Sequence, residues 1–252
     1  MEKVSVAIIT KNEGQTIGDC LRSVRWADEI VVVDNDSTDQ TRQICQDFRA
    51  RVYLEEWKGF SRQKNSAVEK TQNDWILSLD ADERVSPDLH EEIKQALGEH
   101  SPPYDGYFIP RKNFFLGRWI RHCGWYPDYT LRLFRKSRGR FQERAVHERV
   151  EVQGKVGYLQ HPLEHETYRS LGDFFERMDR YSTLAAQEMQ REGRPYRISD
   201  LLFRPFLTFL QMYLLRAGFL EGYPGFLLSV LYSIYTFAKY SKLKEMKENA
   251  TS

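Results

Sequence analysis

Cysteine is scarce in this chain of 252 residues, which has only Cys20, Cys45 and Cys123. Because no two of them form a Cys-x-x-Cys pair, the sequence indicates neither a disulfide framework nor a zinc cluster. The chain also lacks a charged region and a cleavage site before its first apolar run, which begins at Val4. This start is not typical of a secretory signal peptide, so we expect a cytoplasmic protein.

The chain also lacks an excess of charge of either sign. It contains 37 Lys and Arg residues and 36 Asp and Glu residues, which gives a net charge of +1. Such a balance does not predict a nucleic-acid partner. The distribution is uneven, however, since basic residues strongly outnumber acidic ones between residues 111 and 149. This basic stretch is either a solvated surface or a face that meets an anionic substrate or anionic lipid head groups.

The first hundred residues alternate short β-rich runs with helix-like stretches, which is typical of a βαβ sheet with helices on its faces. The clearest strands are residues 4–9, 29–34 and 75–80. The polar clusters at their ends are residues 10–13, 34–39 and 80–83. Ligands bind beyond the carboxyl ends of strands in open α/β sheets, so these clusters predict one cleft. Alternatively, Asp36 or Ser37 caps a helix over residues 38–48 and Ser86 caps the next helix.

The most informative element is the Asp80-Ala81-Asp82 triplet, which ends the third strand. A divalent cation held by carboxylate neutralises a diphosphate as a Lewis acid, and the alternate spacing lets one carboxylate face the ribose and the other the metal. Asp34 ends the second strand and is suited to accept hydrogen bonds from a nucleobase or ribose. Lys64 and Asn65 lie at a polar helix start and add a cation and an amide. Together these residues predict a site for a nucleotide-sugar donor.

A glycine-rich phosphate loop is missing after the first strand, where residues 10–14 contain only Gly14. A sugar-phosphate nucleotidyltransferase would need such a loop, so the sequence argues against that class. A sugar- or lipid-binding module without activity would be expected to have lost the metal-binding acid. Both Asp80 and Asp82 are present, which favours an enzyme.

Four segments resemble the opening motifs of the family 2 inverting glycosyltransferases: residues 4–13, 31–41, 64–65 and 79–85. The resemblance implies the GT-A nucleotide-binding fold, an α/β fold with a mixed, mainly parallel central sheet flanked by helices. It also implies a UDP-type donor and an Mg²⁺ or Mn²⁺ ion on Asp82. The residues expected at the donor are Thr10, Glu13, Asp34, Asp36, Lys64, Asn65 and Asp80, with Asp80 near the ribose.

Later segments are similar to the lipopolysaccharide-core β-1,4-glucosyltransferases of Gram-negative bacteria, namely residues 132–135, 145–148, 154–159 and His165. That subgroup implies transfer of glucose from UDP-glucose to an inner-core heptose. The Gln-x-x-Arg-Trp motif of processive synthases is absent from the sequence, which favours the addition of a single sugar. Polyprenyl phosphate or another membrane glycolipid is the alternative acceptor.

Inversion in one displacement needs a general base that removes the proton of the acceptor hydroxyl. Family members commonly carry this acid in a Glu-Asp or similar pair, but no Glu-Asp dipeptide follows Asp82. We assign the base to Glu148, in the nearest counterpart, and keep Asp128 as its rival. His165 is either a further metal ligand or a structural histidine.

The acceptor is expected to meet Trp125, Tyr126 and Arg132. The two aromatic rings would stack on a sugar face, although burial in a core is the alternative for both. We expect a catalytic domain over residues 1–168, with a donor-binding half over 1–105 and an acceptor-binding half over 106–168.

A helical region is expected over residues 169–252, and it is strongly apolar. Residues 201–215 carry one charge, Arg204, and residues 222–238 carry none before a lysine-rich segment that includes Lys239, Lys242 and Lys244. Aromatic and basic flanks are typical of helices that lie at a membrane surface. The alternatives are core packing and a true span, for which the stretch is short. We expect a peripheral protein on the anionic inner face of the cell membrane.

Overall fold

The structure, a computed structural model, describes residues 2–98, 102–142 and 149–249. The chain forms two compact units. The first comprises Met1–Arg111 and Asp128–His165, and the second comprises Lys112–Pro127 and Glu166–Ser252. The second unit therefore includes a short segment from the middle of the chain in addition to the C-terminal residues.

The chain contains a mixed β-sheet. Its strands and those of a separate hairpin are β1 (Val4–Thr10), β2 (Glu29–Asp34), β3 (Arg51–Leu54), β4 (Trp75–Asp80), β5 (Glu83–Val85), β6 (Gly106–Phe115), β7 (Arg118–Trp119), β8 (Asp128–Arg135), β9 (Gly139–Phe141), β10 (Val150–Val152), β11 (Val156–Tyr158) and β12 (Leu163–Tyr168). The sheet order is β3-β2-β1-β4-β8-β6-β12-β5, with β7 and β11 also paired to β6, while β9 and β10 form the hairpin. The order β3-β2-β1-β4 is parallel and β8 is antiparallel to β4. The α/β fold with a mixed sheet, expected from the sequence, is confirmed.

Strand β1 explains how the polar clusters come together. It is apolar and buried on both faces, as is typical of a central strand in a parallel sheet. In the register of β1 with its two neighbours, Thr10 lies opposite Asp34 and Ile9 lies opposite Asp80. The carboxyl ends of three strands therefore meet at one edge of the sheet, as the strand pattern predicts.

The described residues of the first unit include four helices: α1 (Ile17–Ser23), α2 (Thr41–Asp47), α3 (Phe60–Glu69) and α4 (Pro87–Ala96). Ser86 caps α4, because its Oγ accepts the N–H of Leu89 at 3.2 Å and Pro87 follows at the first helical position. Helix α2 begins later than the predicted residue 38. Asp39 Oδ1 accepts the N–H of Thr41 at 3.0 Å, and the residues before it form a separate turn. The capping alternative is therefore confirmed for Ser86, whereas the residue that precedes α2 is Gln40.

The second unit is mainly helical, with α5 (Leu171–Arg191), α6 (Ile198–Leu210), a π-helical turn (Gln211–Leu215), a 3₁₀ turn (Gly218–Glu221) and α7 (Tyr223–Asn249). Ser170 caps α5 by accepting the N–H of Asp173 at 3.1 Å. The core of this unit joins Phe115 and Trp125 from the middle segment to Phe174, Leu228 and Leu231 from the helices. Among the described residues, Ile198–Leu215 is the one helical stretch long and apolar enough to cross a membrane.

Candidate active site

The loop after β1 is bonded to the loop after β2. The N–H of Asn12 donates to Oγ of Ser37 at 2.8 Å, and the N–H of Thr38 donates to Oδ1 of Asn12 at 2.8 Å. In addition, the N–H of Glu13 donates to Oγ1 of Thr41 at 2.8 Å. Asn12 has a φ of +55°, in the left-handed region that Asn tolerates better than most residues. The two loops therefore form one fixed floor at the strand ends.

Asp34 is fully buried at the end of β2, and the turn that follows it bonds its carboxylate. Ser37 donates twice, from its backbone N–H to Oδ1 at 2.9 Å and from its Oγ to Oδ2. Arg42 Nε lies 4.0 Å from the same Oδ1. Asp36, in this turn, has a φ of +52° and is exposed. Asp34 thus fixes a turn that presents Asp36 to solvent.

Thr10 and Glu13 flank this floor. Thr10 is buried, and its Oγ1 has no hydrogen-bond partner among the described residues. A buried hydroxyl without a partner is costly, so this oxygen indicates a place where a ligand atom would bond. Glu13 is half-buried, and its Oε2 accepts a hydrogen bond from Oγ1 of Thr16 at 2.7 Å.

Asp80, at the end of β4, is bonded by two buried cations. Lys64 Nζ lies 2.8 Å from its Oδ1, and Arg132 Nη2 donates to its Oδ2 at 2.6 Å. The same Nη2 donates to Oε1 of Glu83 at 2.6 Å, and Oε2 of Glu83 accepts the N–H of Asp80 at 2.9 Å. Glu83 is fully buried. These four side chains form an ion network of two carboxylates and two cations, which we call the Asp80 network.

Electrostatic coupling is strong in the Asp80 network. Burial alone would raise the pKa of Asp80, but the charges of Arg132 and Lys64 hold it well below its usual range. Burial alone would lower the pKa of Arg132, but the charges of Asp80 and Glu83 raise it. Both groups therefore carry full charge at neutral pH. Because their charges balance each other, a diphosphate bound here would need a further source of positive charge.

Asp82 and His165, the two predicted metal ligands, lie next to each other. Strand β12 pairs antiparallel with β5 and sets His165 opposite Glu83. His165 Nε2 consequently lies 3.6 Å from Asp82 Oδ2, and both side chains are largely buried. Among the described residues there is no cluster of three His, Cys, Asp or Glu side chains that could hold a metal. Two protein ligands still suit an Mg²⁺-type ion, which commonly takes its other ligands from water and substrate phosphates.

Asp128, the rival candidate for the base, is bonded to Arg111. Arg111 donates to its Oδ2 from Nε at 2.9 Å and from Nη2. Arg111 Nη1 also lies 3.6 Å from Oε1 of Glu83, so it connects Asp128 to the Asp80 network. Glu148, to which the base is assigned, lies outside the described residues.

Two further predicted residues have partners within the first unit. Asn65 bonds both backbone groups of Phe141, with Nδ2 donating to its O and Oδ1 accepting from its N, each at 2.9 Å. Arg132, expected at the acceptor, is buried and bonds Asp80 and Glu83. Asn65 therefore positions β9, and Arg132 positions the two carboxylates.

The two predicted acceptor-stacking aromatics belong to the second unit. Trp125 is buried in the core of that unit, and its backbone O accepts Nδ2 of Asn113 at 3.0 Å. Tyr126 is half-buried, and its ring lies edge-on to that of Trp119 with centroids 5.4 Å apart. The structure therefore gives both rings aromatic or apolar neighbours within the second unit.

The sequence places Glu83 in a predicted polar cluster and Arg111 in the basic stretch, but it predicts no individual role for either residue. Glu83 directly follows the Asp80-Ala81-Asp82 triplet and resembles one more exposed acid. Arg111 belongs to the basic stretch, which the sequence treats as one surface. The sequence of β8 did contain a signal for Arg132. Side chains alternate along a strand, so Arg132 lies on the sheet face opposite to that of its buried neighbours Leu131 and Leu133. The identity of the partner acids could not be obtained from that alternation.

Comparison with known proteins gives consistent matches. A family model described as Glycosyl transferase family 2 matches residues 5–165. An uncharacterized glycosyltransferase of Rickettsia typhi is 29% identical over 257 residues, which cover 98% of this chain and 88% of that protein. The lipopolysaccharide core biosynthesis glycosyltransferase LpsC of Rhizobium meliloti is 29% identical over 252 residues, covering 95% of this chain and 91% of that one.

Among solved structures, S. aureus TarS 1-349 in complex with UDP-GlcNAc is similar, with a TM-score of 0.52. The identity is 16%, and the match covers 98% of this chain and 92% of that chain. At this identity the likeness shows a shared fold.

Proposed function

Because this chain belongs to glycosyl transferase family 2, we propose that it transfers one glucose from UDP-glucose to an inner-core heptose of lipopolysaccharide, with inversion. The observation that carries the proposal is the Asp80 network, which lies at the same strand edge as Thr10 and Asp34. This edge combines a polar floor with buried charge and an adjacent pair of candidate metal ligands, Asp82 and His165. Support for the acceptor comes from the similarity to LpsC.

The nucleoside is assigned to the floor made by the loops after β1 and β2. Thr10 Oγ1 is a buried hydroxyl without a partner among the described residues, and Asp36 is exposed on the turn that Asp34 holds. Bonds from a ribose or base to these oxygens would compensate the hydroxyl that folding leaves unsatisfied. Glu13 and Asp34 keep the floor rigid, so their contribution includes positioning.

The diphosphate is assigned to the region between the Asp80 network and Asp82. Lys64 and Arg132 are already balanced by Asp80 and Glu83, so they orient Asp80 toward the ribose more than they neutralise phosphate. Asn65 supports this region indirectly, through its two bonds to Phe141. The remaining positive charge is expected from a metal.

We propose that Asp82 and His165 hold an Mg²⁺ or Mn²⁺ ion. Their oxygen and nitrogen atoms lie 3.6 Å apart, close enough for both to bind one cation. The carboxylate of Asp82 and phosphate oxygens are ligands that suit either ion, and the imidazole of His165 suits the softer Mn²⁺ better than Mg²⁺. Bound there, the ion would neutralise the charge that develops on the leaving diphosphate.

The general base is assigned to Glu148, with Asp128 as the alternative. Inversion requires one carboxylate near the acceptor hydroxyl on the face opposite to the leaving group. Asp128 is bonded to Arg111, which also approaches Glu83. Because these bonds tie Asp128 to the Asp80 network, its simplest role is to position Arg111. Glu148 therefore remains our choice.

The acceptor is proposed to be a lipid-linked saccharide at the cytoplasmic face of the cell membrane. Trp125, Tyr126 and Arg132 stay the candidates for its recognition, and the partly exposed Tyr126 ring is the best placed to stack on a sugar. Such an acceptor requires the enzyme to work as a peripheral protein at the membrane surface.

Transfer can be tested with purified protein, radiolabelled UDP-glucose and lipopolysaccharide from a strain in which the corresponding gene is deleted. We expect label on the heptose-ended core in the presence of Mn²⁺, a β-linkage in the product, and loss of transfer in EDTA. Polyprenyl phosphate serves as the competing acceptor. Labelling of polyprenyl phosphate alone would overturn the acceptor assignment, and full activity in EDTA would overturn the metal assignment.

A further inference from the structure

We propose that the outer side of α6, together with the turn that follows it, docks this protein on a bilayer surface that contains anionic phospholipids. We call this the docking surface, and it is represented by Leu202, Phe203, Phe206, Leu215, Leu220 and Tyr223. The proposal rests on the proposed function only in its expectation of a lipid-linked acceptor. It adds which face of the protein meets the membrane and how that face lies.

The docking surface is the main concentration of exposed apolar side chains. Half of the large apolar residues that are exposed in the described parts of the chain lie between residues 198 and 226. Leu215 is 83% exposed and Tyr223 is 71% exposed. In α6, Leu202, Phe203 and Phe206 follow helical spacing, so they lie on one side of the helix. Exposed apolar side chains concentrated in this way mark an interaction site.

The opposite side of α6 is bonded to α7. Ser233 Oγ donates to the backbone O of Pro205 at 2.8 Å, and the Oγ1 atoms of Thr208 and Thr236 lie 3.2 Å apart. These polar contacts fix which side of α6 faces the rest of the second unit. The apolar side consequently faces away from α7.

The turn between α6 and α7 is tightly packed. A Cβ on Gly225 would lie 2.0 Å from the backbone O of Gly218, and a Cβ on Gly218 would lie 2.7 Å from Sγ of Cys123. Both positions therefore require glycine for this close approach. The side chains of Phe219 and Leu220 are about half exposed on this turn. A fixed turn presents them to a bilayer with little ordering on binding.

Glu221 attaches a basic segment to the same turn. This buried carboxylate accepts the backbone N–H of Arg121 at 2.9 Å and of His122 at 3.0 Å, and it lies 2.7 Å from Nδ1 of His122. Arg118 Nη2 lies 3.7 Å from Oε2. Burial alone would raise the pKa of Glu221, but these bonds lower it, so the carboxylate is charged at neutral pH.

Cationic side chains are thereby held beside the apolar turn. Arg118 and Arg121 are exposed, and the guanidinium of Arg121 lies over the ring of Trp119 at 4.2 Å. Arg216 is also exposed, and its backbone O accepts the N–H of Cys123 at 2.9 Å. Apolar side chains bordered by arginine and tryptophan match the boundary between acyl chains and anionic head groups. This charge complementarity is why we choose an anionic bilayer as the partner.

The geometry favours a helix that lies in the plane of the surface over one that crosses the membrane. The inner side of α6 is bonded to Ser233 and Thr236 of α7, so only its outer side is available to lipid. Asp200 and Arg204 form an ion pair of 2.6 Å within the helix. A helix that carries an ion pair and exposes apolar side chains on one side suits binding in the plane of the interface.

The cations best placed to contact lipid head groups differ from those that the sequence predicts. Lys242, expected at the membrane from the sequence, bonds Asp179 Oδ1 at 2.6 Å and Thr183 Oγ1 at 2.7 Å. Lys239 is partly buried, which lowers its pKa. Arg118 and Arg121 are therefore better candidates for contact with anionic lipid.

Co-sedimentation of the full chain with phosphatidylcholine vesicles, with or without phosphatidylglycerol, tests the docking surface. Wild type should bind the anionic vesicles and be partly released by high salt. Phe203→Glu with Phe206→Glu should weaken binding by at least about tenfold, since charge is disfavoured in the acyl region. Leu54→Glu is the matched control, because Leu54 is an exposed apolar residue of the first unit, and it should change binding by less than about twofold.

A second pair of variants separates the charge contribution. Arg118→Gln with Arg121→Gln should reduce binding to anionic vesicles and reduce its salt dependence, while leaving weak binding to neutral vesicles. Circular dichroism and thermal melting establish that each variant is folded.

Four results would overturn the proposal. The first is that folded wild type does not bind anionic vesicles, and the second is that the glutamate variants bind like wild type. The third is a dimer in solution that the same glutamate variants dissociate, because the surface would then be covered by a second copy. The fourth is that the cellular protein stays in the membrane fraction after extraction with alkaline carbonate, because it would then span the bilayer and not lie on its surface.

Transfer from UDP-glucose to a soluble, delipidated heptose acceptor separates this inference from the transfer reaction. The glutamate variants should retain that activity. If wild type lacks it and still binds vesicles through the docking surface, the proposed function fails and the membrane inference stands. If wild type transfers glucose and ignores vesicles, the membrane inference fails alone.

Discussion

The two units of this protein treat charge and apolar surface in opposite ways. The first unit buries charge, because Glu83, Arg132 and Lys64 lie inside at the strand ends, where Arg132 and Lys64 bond the half-buried Asp80. The second unit exposes apolar side chains, such as Leu215 and Tyr223. Folding alone favours neither feature, because burying charge and exposing apolar area both cost free energy. Features of this kind are expected where a ligand or a surface completes the structure.

The buried charge of the first unit should show its largest effect at Arg132. Arg132→Met removes the cation that Asp80 and Glu83 share, and should lower the free energy of unfolding by about 3–5 kcal/mol. Arg22→Met is the control, because Arg22 pairs with Asp19 at the surface, and it should cost about 0–1 kcal/mol. Urea unfolding followed by circular dichroism measures both variants. Similar losses for the two would mean that burial of the network has no special weight.

Asp82 tests whether the first unit carries the metal chemistry. Asp82→Asn keeps the side-chain volume and removes a ligand charge, so transfer should fall by about 10²-fold or more while the melting temperature changes little. Asp88→Asn, an exposed acid on α4, is the control and should transfer normally. Mn²⁺ binding by calorimetry with UDP present gives an independent measurement. Unchanged transfer by Asp82→Asn would remove the metal from this position.

Glu148 tests which acid serves as the base. Glu148→Gln should slow transfer by roughly 10²-fold with nearly normal UDP binding, the scale expected for losing general-base help. Asp128→Asn is compared directly under the same conditions. It should act more through stability, because Asp128 bonds Arg111. The opposite order of rate effects would assign the base to Asp128.

Asp34 sharpens the distinction between a binding and a positioning role in the polar floor. Asp34→Ala removes both bonds to Ser37 and should weaken UDP binding by about tenfold or more, since hydrogen bonds to charged groups are worth about 1.5–3 kcal/mol. Asp36→Ala leaves the turn intact and should have the smaller effect. Calorimetry with UDP and no acceptor measures both. Equal affinity for wild type and Asp34→Ala would limit Asp34 to a structural role elsewhere.

The smallest expected effect concerns a partly exposed charge of the first unit, Glu55. Burial alone would raise the pKa of Glu55, but bonds from Lys70, Ser66 and Lys58 lower it from 4.5 to about 2. A pKa that is lower in the folded state gives stability that is complete above pH 4.5 and is lost as the pH falls through about 2. Glu55→Gln should therefore flatten the loss of stability across this range. Parallel curves for wild type and variant would show that these bonds do not matter.

Strand positions in the first unit were well predicted because the signal is local. Residues 4–9, 29–34 and 75–80 correspond to β1, β2 and β4, since each is an apolar run that ends at a polar residue. Helix α5 likewise lies within the helical region that the sequence predicts over residues 169–252. The start of α2 was misplaced by three residues, because Asp39 bonds Thr41 and delays the helix. That bond competes locally with capping, and composition does not show which one forms.

Site residues were predictable by type but not by partner. Asp82 and His165 were both named from the sequence, and their contact depends on the antiparallel pairing of β5 with β12. Arg132 was expected at the acceptor. In the structure β8 pairs with β4, and Arg132 of β8 bonds Asp80 and Glu83. Glu83 and Arg111 carried no signal of burial, because a charged residue is buried only when its partner is known.

The alternation of strands and helices, the polar ends of three strands, the acidic triplet and the apolar C-terminal helices are all visible in the amino-acid sequence. These features depend on neighbouring residues and on periods of two or 3.6, which can be read along the chain. The folded structure was needed to show that Arg132 and Lys64 bond Asp80, that Glu221 holds Arg121 beside an apolar turn, and that the outer side of α6 stays exposed. Each of these joins residues far apart in the chain, and such contacts are set by strand register and helix packing, because charge and apolar surface find partners only after the chain has folded.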